Sequence, residues 1–173
     1  MSLEYAAMFW LWIDQKCKIV LEERSPIYNM GLPDVMGVTQ GRYLTEIEIK
    51  RSAADFRADF QKRHRIRQKE HPRLAPRQFY YLMPPELAEK LKDKIPDNAG
   101  LMTLNEGGYV TVLKRAPVNK ESPKLRMVDC VRLARQMTAH MMGYALVKRT
   151  LGDRLRDFCF QDWVSAEKGT YEI

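Results

Sequence analysis

Two carboxylates and a lysine stand close together in residues 32–52, LPDVMGVTQGRYLTEIEIKRS. Asp34 follows a proline, and Glu48 and Lys50 are two residues apart at the end of a strand-like run. Carboxylate oxygens are hard ligands that suit a divalent cation. A cation so held lowers the pKa of a bound water and polarises a phosphoryl oxygen. A lysine beside it stabilises developing negative charge or, when desolvated, gives up its proton. These three residue types therefore suit phosphodiester hydrolysis. The competing reading is surface decoration, because an Asp followed by a Glu-x-Lys arises readily in any chain with many charged residues.

The elements around these residues bear on that choice. Residues 35–39 and 43–50 read as strands joined by a tight turn, TQGR, in which Gly41 is free to take a positive φ. Side chains alternate along a strand, so Glu46, Glu48 and Lys50 share a face with Leu44, while Thr45, Ile47 and Ile49 point the other way. Counting back through the turn sets Asp34 roughly opposite Glu46 to Glu48. Charge at the end of an otherwise buried strand needs a partner, or it costs several kcal/mol. Ser52 is a good N-cap for the helix that follows, and Asp55 at the third helical position can answer it.

Along the rest of the chain, residues 3–16 read as a helix and 18–27 as a strand. The helix begun at Ser52 runs to Pro72. Residues 78–84, QFYYLMP, form a buried-type strand, and PPELAEKLKDKI is a short helix with proline at its start. Residues 100–117 make a hairpin about Asn-Glu-Gly-Gly. Ser122-Pro123 opens a long helix through Leu151, and a last amphipathic stretch carries Leu155, Phe158, Cys159 and Trp163. The order is α-β-β-β-α-β-α-β-β-α-α, a mixed α/β domain with a central sheet flanked by helices.

Length and composition set outer bounds. The 173 residues suit one domain, and no run of about 18 apolar residues is present to span a membrane. The N-terminus lacks the basic start and small-residue cleavage site of a signal peptide. Cys17, Cys130 and Cys159 are odd in number and widely spaced, which argues against structural zinc and a disulfide framework and for a reducing cytoplasm. The net charge of +7 is concentrated between Arg57 and Arg77. Arg57, Lys62, Arg63, Arg65, Arg67 and Lys69 are the candidates to contact a polyanion, most often nucleic acid; the alternative is a solvated helix face.

The motif resembles a known family. The "PD" of residues 33–34 and "EIK" of 48–50 are similar to the signature of the PD-(D/E)XK nuclease superfamily, and the element order resembles its restriction-endonuclease-like core. EIEIKRSAADFRADF, residues 46–60, and FYYLMP, residues 79–84, resemble more specifically the MmcB-like bacterial DNA-repair proteins. Gln61 and Lys62 stand where that family has a Lys-Trp pair. The likeness spans roughly residues 3–117, leaving 118–173 as a C-terminal helical extension packed on the core within one domain. It implies Asp34 and Glu48 as ligands of Mg²⁺ (with Mn²⁺ as a substitute), the Ile49 carbonyl as a further ligand, and Lys50 as the catalytic lysine. An additional acidic ligand is implied, with Glu4, Glu22 and Glu23 as candidates. Glu23 is favoured because it lies on the strand leading to the Asp loop.

The expectation is a Mg²⁺-dependent deoxyribonuclease of repair, recombination or restriction, with DNA as partner. Two other classes are open: a non-catalytic DNA-binding repair accessory that keeps the fold, and a protein-interaction module. Asp55 and Asp59 suit a helix cap and an ion pair with Lys62 or Arg63, or else a second metal. His64, His71 and His140 have no ligand spacing, though the first two could meet phosphate. Met137, Met141, Met142 and Tyr144 suit a core stripe better than a ligand groove. Phe158, Phe160 and Trp163 offer a homodimer contact.

Overall fold

Residues 2–22 and 33–150 are described by the computed structural model, with side chains up to Gly143. Helix α1 (Leu3–Ile13) starts on Ser2, whose hydroxyl accepts the Tyr5 amide. Strands β1 (Ile19–Glu22), β2 (Val35–Val38) and β3 (Leu44–Ile49) follow as an antiparallel meander. Helices α2 (Ala53–Asp59) and α3 (Arg63–Glu70) then carry the chain to β4 (Gln78–Leu82), which pairs parallel to β3. Helix α4 (Pro85–Leu91) leads to β5 (Gly100–Leu104), parallel to β4, and a hairpin adds β6 (Val110–Lys114). The six strands form one mixed sheet in chain order, and α5 (Met127–Thr150) is the fifth helix. The chain divides into two compact units, Met1–Ala134 and Arg135–Ile173, and the sheet belongs to the first.

Helices cover both sheet faces. On one face Leu3, Ala7, Trp10 and Leu11 of α1 pack on Ile47, Ile49, Tyr80 and Leu82, with Trp10 edge-on to Tyr80 at 5.5 Å between ring centroids. On the other, Phe56 of α2 and Ala88 and Leu91 of α4 meet Phe79, Tyr81 and Leu101. The alternation expected for 43–50 holds: Ile47 and Ile49 belong to the α1 side. Glu46 and Glu48, of opposite parity, stand beside Phe79 and Tyr81 in the parallel register.

Three expectations differ from the structure, and two reach beyond the described residues. The helix expected from Ser52 to Pro72 is two helices, broken at 60–62. Ser52 does cap the first, accepting the Asp55 amide at 3.1 Å. In the 39–42 turn the positive φ falls on Arg42 (65°) and not on Gly41. The Arg42 amide bonds to the Thr39 carbonyl and the Thr39 amide to the Tyr43 carbonyl, so the left-handed residue closes the loop, as in a turn followed by a bulge. The helix expected from 122 starts at Met127, after an extended passage in which the Leu125 amide bonds to the Arg42 carbonyl. Strand β1 is described to Glu22, and the remainder of the 18–27 strand and the amphipathic stretch after Leu151 lie outside the described residues.

Gly100 marks the tightest approach in the sheet. A Cβ there would press into the Tyr80 ring and stand 2.7 Å from the Ala116 backbone nitrogen. Gly100→Ala is therefore expected to destabilise the protein by about 1–3 kcal/mol, the scale of overpacking in a core that cannot yield. Urea unfolding of the two proteins checks this; equal midpoints would show that the 115–117 backbone moves aside freely.

Candidate functional site

The β2–β3 register sets the site. Val35 pairs with Ile47, so Asp34 falls opposite Glu48. The Asp34 carboxylate accepts the Ile49 amide at 2.7 Å, and the Asp34 amide reaches Glu48 Oε2 at 3.4 Å. The two carboxylates are thus tied together across the end of the hairpin. Lys50, one side-chain repeat beyond Glu48, is 2% exposed, and its ammonium lies 3.5 Å from Glu48 Oε1. Asp34, Glu48 and Lys50 share one cluster on the α2 side of the sheet.

The helix pair completes that cluster with residues the motif did not name. Asp59, fully buried at the end of α2, takes Lys50 at 3.1 Å and Lys62 at 2.8 Å on Oδ1, and Arg65 at 3.1 Å and the Tyr81 hydroxyl at 2.9 Å on Oδ2. Lys62 also holds Glu48 Oε1 at 2.8 Å. Arg65 reaches Glu46 at 2.7 Å and Glu48 at 3.4 Å, bonds to Gln68, and lies 4.0 Å over the Phe79 ring. The break between α2 and α3 makes this geometry. The Gln61 and Lys62 amides fold back on Ala58 and Asp59 in a tight turn, and Lys62 is extended (ψ 128°), so α3 restarts with Lys62 and Arg65 facing the strand.

Two cations expected to face phosphate are therefore turned inward. Arg65, 9% exposed, belongs to the buried network, and Lys62 bridges Glu48 and Asp59. Arg57, Arg63, Arg67 and Lys69 are exposed. Asp59 does pair with Lys62, as expected, and in addition forms the hub beneath Lys50. Asp55 keeps its amide on Ser52 and sends its carboxylate to within 3.7 Å of Lys50. Of the candidate extra ligands, Glu4 is ion-paired to Arg51, Glu22 sits on β1 opposite Val35, and Glu23 lies outside the described residues. The pairing of Asp59 with Lys62 was readable from helical spacing. The Tyr81 contact was not, because it depends on the parallel register of β4 on β3.

Burial and like charge leave the carboxylates uneasy. Burial, then the neighbouring Glu48 charge, pushes the Asp34 pKa up to about 6, against the pull of the Ile49 amide and Lys50. Burial raises Glu46 to about 7 even though Arg65 opposes it. Asp59 goes the other way: burial would raise it, but Arg65, Lys62, Lys50 and the Tyr81 hydroxyl together hold it well below the usual carboxylate range. Burial, with Arg65 and Lys62 nearby, lowers His64.

A divalent cation suits the Asp34–Glu48 pair. The donors are hard oxygens on residues tied together across the hairpin, and burial followed by the neighbouring Glu48 charge raises the Asp34 pKa. Among the described residues no group of three or more His, Cys, Asp or Glu forms a metal site. Mg²⁺ asks for less, since it is commonly held by one or two carboxylates and keeps several waters.

No family model matches the chain, and no curated protein matches it. Among solved structures the chain is similar to the SPO1766 protein of unknown function from Silicibacter pomeroyi, at 22% identity and a TM-score of 0.51. The match covers 90% of this chain and 88% of that one, and it is a likeness of fold. No helix among the described residues is long and apolar enough to cross a membrane.

The shifts give a pH dependence of the metal-free protein. The folded pKa values of Asp34 and Glu46, about 6 and about 7, lie above their unfolded values of 3.8 and 4.5. Between these limits the folded state keeps protons that the unfolded state has lost, so stability falls as pH rises from about 4 to about 7. Two groups oppose this trend: His64, whose folded pKa is lowered from 6.5, makes stability rise as pH climbs toward 6.5, and Asp59 loses its stabilisation as pH drops below 3.8. Thermal unfolding in EDTA across this range should show the decline, and Asp34→Asn should flatten part of it. A variant with the parent's slope would show that Asp34 carries none of it.

Proposed function

We propose that this protein is a metal-dependent nuclease acting on DNA, built on a restriction-endonuclease-like core. The observation that carries the reading is the convergence of Asp34, Glu48 and Lys50 at one strand end, with Asp34 and Glu48 bonded across the hairpin. The core arrangement supports it: a helix, a three-strand antiparallel meander, a helical crossover and a fourth strand parallel to the third.

In this reading Asp34 and Glu48 hold the cation, and the Ile49 carbonyl is the further ligand. Bound Mg²⁺ would supply a water of lowered pKa and a charge on the phosphoryl oxygen. Lys50 stands beside Glu48 with its ammonium fixed by Asp59, a positive charge already in place where negative charge develops. Tyr81 and Arg65 fix Asp59 in turn. The exposed Arg57, Arg63, Arg67 and Lys69 attract and align the phosphate backbone.

One observation favours a second reading, a DNA-binding repair accessory without catalysis: Glu48 Oε1 is already held by Lys62, with Lys50 and Arg65 close by. Incubation with labelled duplex, single-stranded and branched DNA, in Mg²⁺ or Mn²⁺ against EDTA, separates the two. Cleavage in metal alone is expected. Lys50→Ala should lower single-turnover cleavage by about 10²-fold or more while leaving metal binding largely intact. Glu48→Ala and Asp34→Ala should weaken metal binding itself. Binding without cutting on every DNA form would assign the accessory role.

Replacing Arg63, Arg67 and Lys69 with Ala should weaken binding to unrelated DNA sequences alike and reduce its salt dependence. Arg65→Ala should instead lower stability, by about 3–5 kcal/mol, because it strips the partner from buried carboxylates. Fluorescence titrations at several salt concentrations, beside urea unfolding, report both. A loss confined to one sequence would rule out a phosphate track.

A further inference from the structure

Lys62 differs from the other cations of the cluster in one respect. Lys50 and Arg65 are 2% and 9% exposed, enclosed by the sheet and the helices, whereas Lys62 is 40% exposed. It enters from the break between α2 and α3, where its backbone is extended and its side chain is partly exposed to solvent. Yet its ammonium makes the shortest ion pairs to both Glu48 and Asp59, at 2.8 Å each. Withdrawing Lys50 or Arg65 would require opening the core. Lys62 needs only rotations about its own side-chain bonds.

The charges explain what such a withdrawal would serve. Asp34, Glu46, Glu48, Asp55 and Asp59 stand against Lys50, Lys62 and Arg65. Carboxylates outnumber cations even with Lys62 in place. Withdrawing Lys62 removes one more positive charge and strengthens the attraction for a divalent cation. The ammonium also occupies the Oε1 oxygen of the same glutamate that the cation would use, so the two compete for a ligand as well as for a field.

We infer that Lys62 is an exchangeable latch: its ammonium neutralises Glu48 and Asp59 when no metal is bound, and a divalent cation at Asp34 and Glu48 displaces it from Glu48 toward solvent. There it joins Arg63 and Arg67 on the exposed side of α3, the side available to phosphate. Metal loading and polyanion binding are then coupled, since each draws on the same lysine in the same direction. The inference rests on the metal-site reading of Asp34 and Glu48 and goes beyond it by giving the site a resident competitor.

The test uses the whole 173-residue chain and has three readouts, none of them cleavage. Brief acetylation followed by mass spectrometry measures the reactivity of Lys62 with and without Mg²⁺, with exposed Lys69 as the internal reference. Lys62 should become several-fold more reactive on adding Mg²⁺, while Lys69 does not change. Mn²⁺ titration followed by electron paramagnetic resonance then compares the parent with Lys62→Met and with Arg63→Met, a charge loss of the same sign on the neighbouring exposed residue. Lys62→Met should bind at least about tenfold more tightly than both, the scale expected for removing a unit charge a few ångströms from the ion. Thermal unfolding in EDTA should show Lys62→Met less stable than the parent, since Glu48 and Asp59 lose a partner. Metal binding with unchanged Lys62 reactivity, or with equal affinity in Lys62→Met and Arg63→Met, overturns the latch and leaves the metal site standing. Absence of metal binding in the parent and in Lys62→Met overturns both. Binding by Lys62→Met alone supports the latch in its strongest form.

Discussion

Glu46, Glu48 and Lys50 point into the interior from a single strand end, and three ionisable groups in a row cannot be buried without partners. An isolated charge in such a place costs several kcal/mol, and removing one member of a buried pair leaves the other stranded. The hairpin adds a further carboxylate, Asp34, held by the Ile49 amide and set against Glu48. The other elements near β3 supply the partners. The end of α2 brings Asp59 beneath Lys50, the start of α3 brings Lys62 and Arg65, and β4 brings the Tyr81 hydroxyl.

The same demand accounts for the broken helix. A continuous helix from 53 to 71 would carry its residues past the strand at a fixed pitch. Interrupting it at 60–62 lets Asp59 end one helix and Lys62 and Arg65 begin the next, all turned toward the same carboxylates. The basic segment is thereby divided. Lys62 and Arg65 serve the interior, whereas Arg57, Arg63, Arg67 and Lys69 keep their charge at the surface. One run of sequence thus supplies both the counter-charges of the cluster and a positive exterior beside it.

Aromatic packing sets the dielectric in which these charges act. Phe56 stands edge-on to Tyr81 at 5.0 Å and to Phe60 at 4.9 Å, Phe79 stands edge-on to Tyr81 at 4.8 Å, and Arg65 covers the Phe79 ring. Water is displaced from one side of the cluster, so attractions and repulsions alike are stronger than at the surface. The opposite displacements of Asp34 and Asp59 follow. Asp59 is surrounded by cations and a hydroxyl, while Asp34 is backed by another carboxylate.

Much of this was legible in the order of residues. Alternation along 44–50 assigned Ile47 and Ile49 to one face and the charged residues to the other, because a strand permits no other arrangement. The short 39–42 turn set Asp34 roughly opposite Glu46 to Glu48, which the strand register narrowed to Glu48, and Ser52 marked the start of α2. Those are local rules, with steric and hydrogen-bonding causes that reach only a few residues. What the local rules could not decide was which charges are paired. Arg65 and Arg67 differ little as sequence, yet one lies on an aromatic ring among three carboxylates and the other in solvent. The positive φ moved from Gly41 to Arg42, and Tyr81 met Asp59, for the same kind of reason. Hairpin closure, helix breakage and the parallel β3–β4 register bring together groups far apart in the chain, and burial then selects the arrangement in which fewest charges are left without a partner.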